Sequence, residues 1–183
     1  VIDAVLAYRG HSPSLECCAG CRLTLTVRLI PLRDADFPAY RDYFIEDYAQ
    51  DLASNHGMAL PDAHRQADAS LQQLLPLGVA TPGHHLLAMV PEASNAPGEP
   101  LGYLWHAIDG AAGTTFIYDF YVTPPHRGRG LGKAAMAALE AQLAPLGIHQ
   151  IKLRVAHDNP RALALYQALG FTITGYNMAK RLD

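Results

Sequence analysis

The chain has 183 residues, half of them hydrophobic and 17% charged, with a formal net charge of -3. That is enough for one domain with a substantial core, and the composition is that of an ordinary globule. Its basic residues cluster mainly at one glycine-rich loop, which suits a small anionic ligand and argues against a nucleic-acid partner. With no apolar run long enough to span a membrane and no secretory pattern, the expected setting is cytoplasmic.

Residues 1–22 show no clean hydrophobic period, so they are expected to be an extension, poorly structured or peripheral to a domain spanning 23–183. Cys17, Cys18 and Cys21 all fall in it. Cys18 and Cys21 form a C-x-x-C pair, but no second pair exists and the nearest histidine is His11. Reduced thiols and no metal are the expectation.

Leu23, Leu25, Val27 and Leu29 alternate with Thr24, Thr26 and Arg28, which predicts a first strand ended by Pro31. Asp34 or Asp36 can cap a helix bearing Phe37, Tyr40, Phe44, Tyr48 and Leu52 and ending at His56-Gly57. Tyr43, Glu46, Asp47 and Asp51 lie close together on its turns. A second helix runs from Pro61-Asp62 to Leu75 with Ala63, Ala67, Leu71, Leu74 and Leu75 as its apolar stripe. Strands follow at 84–90, 101–108 and 115–122, the first two separated by a Pro/Gly/Ser/Asn loop over 91–100.

The strand at 115–122 runs into Val122-Thr-Pro-Pro-His-Arg-Gly-Arg-Gly-Leu-Gly-Lys133. The prolines stop the strand, glycines 128, 130 and 132 make a flexible loop, and an alanine-rich helix starts at once. Free N–H groups, a helix dipole and Arg127, Arg129 and Lys133 together make an anion site. The spacing is neither that of a P-loop nor Gly-x-Gly-x-x-Gly, and an ordinary glycine-rich turn is the plain alternative. The helix presents Leu131, Ala135, Ala138, Leu139, Gln142, Leu143 and Leu146 on one side. A fifth strand at Ile151, Leu153 and Val155, a short helix capped by Asn159 with Pro160 in its first turn, and a last strand at 171–178 complete the pattern. No internal repeat appears.

Arg127-Gly-Arg-Gly-Leu-Gly132, preceded by Val122-x-Pro124, resembles the Arg/Gln-x-x-Gly-x-Gly/Ala motif of the GNAT acetyltransferase superfamily. Asn159, Ala162, Leu165-Tyr166 and Gly170-Phe171 are similar to its second motif, in the right order and separation. The resemblance covers roughly residues 100 to 182. It implies a mixed α/β fold: a mostly antiparallel sheet with helices on both faces, whose fourth and fifth strands are parallel and splay apart to admit the cofactor.

The resemblance further implies acetyl-CoA as co-substrate, with its pyrophosphate on the N–H groups of Arg127, Gly128, Arg129, Gly130, Leu131 and Gly132. Lys133 and Arg129 either add charge or are solvated surface cations. The pantetheine arm, a peptide mimic, would pair with the strand edge at Phe120, Tyr121 and Val122. Asn159 serves as N-cap and, by resemblance, lies near that arm. Tyr166 is implied as the acid that protonates the departing thiolate, its alternative being a core tyrosine. Asp119 is a carboxylate in an otherwise apolar strand, which is costly without a purpose. Several relatives place glutamate one residue earlier, where this chain has Tyr118, so Asp119 is either the general base or a structural group with water carrying the proton. His106 and His126 are weaker candidates. The expected reaction is direct acetyl transfer to a primary amine of a small molecule or peptide. The rivals are another acyl group and a non-catalytic CoA sensor. Homodimers are common in the superfamily.

Overall fold

The computed structural model describes residues 26–93, 99–178, 180 and 182. The expected extension with its cysteines, the first residues of the expected first strand and the middle of the 91–100 loop lie outside the described residues.

Among the described residues five strands form one sheet in sequence order: β1 (Val27–Pro31), β2 (His84–Pro91), β3 (Gly102–Asp109), β4 (Thr114–Val122) and β5 (Gln150–Leu153). The first three pairings are antiparallel and β4 pairs β5 in parallel. The helices are α1 (Phe37–His56), α2 (Leu60–Leu74), α3 (Leu131–Leu143) and α4 (Pro160–Ala168). The predicted elements therefore match within a few residues, apart from the last strand. Among the described residues no helix is long and apolar enough to cross a membrane.

Alternation along the strands separates two cores. On one face Leu86, Ala88 and Trp105 meet Tyr40, Phe44, Tyr48 and Leu52 of α1 and Ala63, Ala67 and Leu71 of α2. On the other, Leu87, Met89, Leu104, Ile117, Phe120 and Val122 meet Leu131, Ala135, Met136, Leu139 and Leu143 of α3 and Ala162 and Tyr166 of α4. Trp105, wholly buried, lies edge-on to Phe44, and its indole N–H donates to His84 Nδ1 at 3.0 Å.

An irregularity in β4 decides where its side chains point. Trp105 pairs with Asp119, but the next residue, His106, pairs with Ile117, which leaves Tyr118 as an extra residue. This is a β-bulge. Strict alternation would put Ile117 and Asp119 on one face. Instead Ile117, Phe120 and Val122 face α3, whereas Tyr118 packs with the α1 core and Asp119 bonds to side chains of α1.

Three local expectations need correction. Asp36 stands at the N-cap position of α1, yet its carboxylate binds Arg33 and makes no cap hydrogen bond. Leu146 is 62% exposed in a 3-10 turn after α3, while Met136, outside the predicted stripe, is buried. The predicted last strand does not form among the described residues: Phe171 packs against the α3 core, but residues 172–178 are exposed without strand pairing. Alternation marks a segment able to lie on a pleated surface and cannot supply the neighbour. Here the adjacent edge is only Gln150–Leu153, and Gly175 raises the entropic cost of extension.

Candidate active site

β4 and β5 pair only from Thr114 with Gln150 to Ile117 with Leu153. Beyond that point the chain of β5 leaves the ladder, and the edge of β4 from Tyr118 to Val122 has no strand paired to it on that side. The bulge begins where the pairing lapses. An open strand edge offers main-chain donors and acceptors to an extended, amide-bearing ligand.

At the end of this edge a 3-10 turn, Pro124–His126, leads into the glycine loop. Gly128 and Gly130 have φ of 77° and 80°, a region that side chains disfavour, and a Cβ at either would meet nothing within 4 Å. Backbone geometry therefore favours glycine there, and the space over both is open. Gly130 is the N-cap of α3, so the N–H groups of Leu131, Gly132 and Lys133 have no acceptor within the helix. Gly132 differs: its Cβ would stand 3.0 Å from Cδ2 of Leu165, so its role is close packing of α3 on α4.

Arg127 does not point into this cradle. Its Nε donates to the carbonyl of Val122 at 2.8 Å, and its guanidinium lies 5.2 Å from the centroid of the Tyr121 ring. It fastens the loop to the strand end, leaving Arg129 and Lys133, both exposed, as the cations beside the helix start. His126 shares a 2.8 Å hydrogen bond with Thr123 across the same turn.

Asn159 caps α4, its Oδ1 accepting from the N–H of Ala162 at 3.0 Å. That leaves its amide N–H₂ as the end able to serve a ligand carbonyl. Tyr166 is buried in the core that contains Phe120, Val122 and Leu131, and the ring of Phe171 meets it edge-on at 5.4 Å.

Asp119 is 1% exposed. Tyr40 donates to its Oδ2 at 3.2 Å and Tyr43 to its Oδ1 at 3.1 Å. Burial raises its pKa to about 8, and the nearby charge of Asp47 adds to this; hydrogen bonds from Tyr43, Tyr40 and the N–H of Phe120 pull the other way. Both tyrosines are held well above their ordinary pKa, by burial first and then by Asp119. Tyr43 also packs on Tyr121 with ring centroids 3.9 Å apart and stacks on Tyr103 at 5.9 Å. Tyr40 was legible only as a core residue: its spacing from Tyr43 puts both on one helix side, but what that side faces depends on the bulge.

The four polar residues grouped on α1 by sequence diverge. Asp47 lies in the electrostatic reach of Asp119 and Tyr121. Glu46 turns outward to His64 of α2 at 2.8 Å and to Gln50. Asp51 is buried; it accepts from Asn55, which also reaches Asp158 beside the Asn159 cap. His106 lies on the α3 face, across the sheet from Asp119. It bonds Thr115 at 2.9 Å, and burial lowers its pKa to about 4, so it stays neutral. Among the described residues no cluster of three or more His, Cys, Asp or Glu could hold a metal.

A parallel pair that parts at a bulge, with a glycine loop and helix start at its end, is the architecture that sequence comparison identifies. Residues 38–171 match the model of the Acetyltransferase (GNAT) family. The chain belongs to the GNAT acetyltransferase family. It is 32% identical over 160 residues to the uncharacterized N-acetyltransferase YycN of Bacillus subtilis strain 168, covering 86% of this chain and all of that one. The YycN crystal structure superposes with a TM-score of 0.77 over 86% of this chain and 99% of its own. A second uncharacterized N-acetyltransferase of B. subtilis, YdgE, is 26% identical over 82% of this chain and 95% of its own. The spermidine N-acetyltransferase of Vibrio cholerae, 18% identical with a TM-score of 0.58 over 82% of this chain and 83% of its own, shares the fold. GNAT enzymes use acetyl-CoA, and this chain is a GNAT N-acetyltransferase.

Proposed function

We propose that the enzyme transfers the acetyl group of acetyl-CoA directly to a primary amine, with Asp119 as general base and Tyr166 as general acid. The observation carrying this reading is the buried carboxyl of Asp119. It sits at the open edge of β4, its two oxygens held by Tyr40 and Tyr43 and its pKa raised to about 8. Burial and the neighbouring acid Asp47 lift its proton affinity towards that of an ammonium group, against the pull of the two tyrosine hydrogen bonds.

The open cradle over Gly128 and Gly130 and the free N–H groups of α3 suit a pyrophosphate. Arg129 and Lys133 add charge, and Arg127 holds the loop in register. The edge at Phe120, Tyr121 and Val122 suits the pantetheine amides, with the N–H₂ of Asn159 on their other side. Acetyl-CoA supplies the activated acyl group as a thioester. The acceptor's ammonium group loses one proton towards Asp119, the neutral nitrogen attacks the thioester carbonyl, the C–S bond breaks, the hydroxyl of Tyr166 gives a proton to the sulfur, and the second proton shed by nitrogen restores that hydroxyl through solvent. Asp47 lies where it would attract the ammonium form of the acceptor. The products are an amide and CoA thiol.

Thiol release measured across polyamines, aminoglycosides, amino acids and peptide N-termini tests the reading. At least one primary amine should turn over with acetyl-CoA in preference to longer acyl-CoAs. Tight CoA binding with no turnover of any amine would make the protein a binder.

A further inference from the structure

Asp119 is placed to receive a proton and not to touch the molecule that gives it up. It is 1% exposed, and each carboxylate oxygen accepts from a tyrosine hydroxyl. Tyr40 is equally buried, enclosed by Phe37, Phe44 and Tyr103. Tyr43 is only partly buried. Its ring lies against Tyr121, on the length of β4 that β5 leaves unpaired, and its hydroxyl ends on Oδ1 of Asp119 at 3.1 Å. Of the two hydroxyls that reach the carboxylate, it is the one whose residue is also partly exposed.

We propose that Tyr43 is a catalytic proton relay between the acceptor amine and Asp119. This rests on the reading of Asp119 as general base. As the acceptor approaches in its ammonium form, one of its N–H protons passes to the phenolic oxygen of Tyr43 while the proton already on that oxygen passes to Oδ1 of the ionised Asp119. The N–H bond and the old O–H bond break; a new O–H bond forms at Tyr43 and another at Asp119. Tyr43 ends as it began, Asp119 ends neutral, and the nitrogen lone pair is free for the thioester carbon. After the amide leaves, the same two transfers in reverse return the proton to water. No free phenolate forms, in keeping with burial that holds Tyr43 well above its ordinary pKa. Asp47, Tyr40, Tyr103 and Tyr121 are the other titratable groups facing this pair.

The test uses acetyl-CoA with the fastest amine of the panel above. Tyr43→Phe keeps the ring and its stacking while removing the relay oxygen. It should lower kcat by about 100-fold or more, close to the loss in Asp119→Asn, as expected for general-base catalysis. The double variant should be no slower than the worse single one, because the two groups act in one chain. KM for acetyl-CoA should hold. On the unaltered enzyme, rates in mixtures of light and heavy water should give a bowed proton inventory, the sign of more than one proton in flight, and a linear one in Tyr43→Phe. Tyr43→Phe at wild-type kcat beside an inactive Asp119→Asn would overturn the relay and leave the base standing. Losses that multiply in the double variant, or a linear inventory in the unaltered enzyme, would overturn the relay too. A wild-type rate in Asp119→Asn, or no amine turned over, would remove the underlying reading and the relay with it.

Discussion

Replacing Asp119 by Asn should make the protein more stable and less active, and the gain should depend on pH. In the folded protein burial raises this carboxyl from 3.8 to about 8. Between those values the folded state keeps the proton and the unfolded chain releases it. Unfolding therefore releases a proton, and stability falls as pH rises through this window. The shift is about 4 units at about 1.4 kcal/mol each. That sets a ceiling of about 6 kcal/mol at and above pH 8, about 4 kcal/mol at pH 7, and nothing below about pH 4, where both states are protonated. Asn carries no such penalty. Its carbonyl accepts from one tyrosine, and its N–H₂ donates to the other once that hydroxyl turns. Relaxation and water entry around the ionised carboxylate reduce the ceiling, so a gain above about 2 kcal/mol at pH 8.5 is the expected result. Urea denaturation of both proteins at several pH values from 5 to 8.5 measures it, other titrating groups cancelling in the difference. A difference between the two proteins that is the same at pH 5 and pH 8.5 would refute the raised pKa.

Gly130→Asp should abolish CoA binding in calorimetry while circular dichroism shows an intact fold: its Cβ has open space, so the variant bears only a left-handed backbone cost of about 1–2 kcal/mol. Tyr166→Phe should leave acetyl-CoA affinity nearly unchanged and lower kcat by about 10- to 1000-fold; a wild-type rate would make Tyr166 a packing residue. Asp47→Asn should raise the acceptor's KM, flatten the salt dependence of kcat/KM and move the acid limb of the pH profile to lower pH, since Asp47 raises the pKa of Asp119. Glu46→Gln should do none of these, because Glu46 faces His64.

The sequence was most informative where local chemistry is sufficient. Asn159-Pro160 announces a capped helix because the cap needs only a side-chain oxygen two or three residues from free N–H groups, and the structure has that bond. Gly128 and Gly130 stand out because positive φ restricts residue choice. Asp119 stands out as a charge among apolar neighbours. Its partners do not, since they are 79 and 76 residues away on α1 and meet it through a bulge. A bulge leaves no mark in Phe116-Ile-Tyr-Asp-Phe-Tyr-Val122, where every residue but one favours a strand in either phase. Helical spacing groups the acids of α1 but does not say which way each points: Glu46 and Asp47 are consecutive, about 100° apart around the axis, and only Asp47 comes within reach of Asp119. The last strand was lost because strand formation needs a partner edge, which is a property of the whole sheet.

The contact at Gly132 gives the molecule a ruler. A Cβ there would lie 3.0 Å from Leu165, tight enough to push that side chain by a few tenths of an ångström. One helix of this pair starts at the proposed phosphate cradle, and the other bears Tyr166 next to Leu165. On the reading proposed above, the span from diphosphate to sulfur is thus gauged by two helices held at a distance set by the Leu165 side chain against Gly132. A CoA analogue whose arm is one methylene longer or shorter should still anchor its phosphates, yet present its thioester off the mark, so that affinity survives while acetyl transfer fails. Gly132→Ala should reproduce that signature with natural acetyl-CoA, the protein rather than the cofactor having changed its length scale.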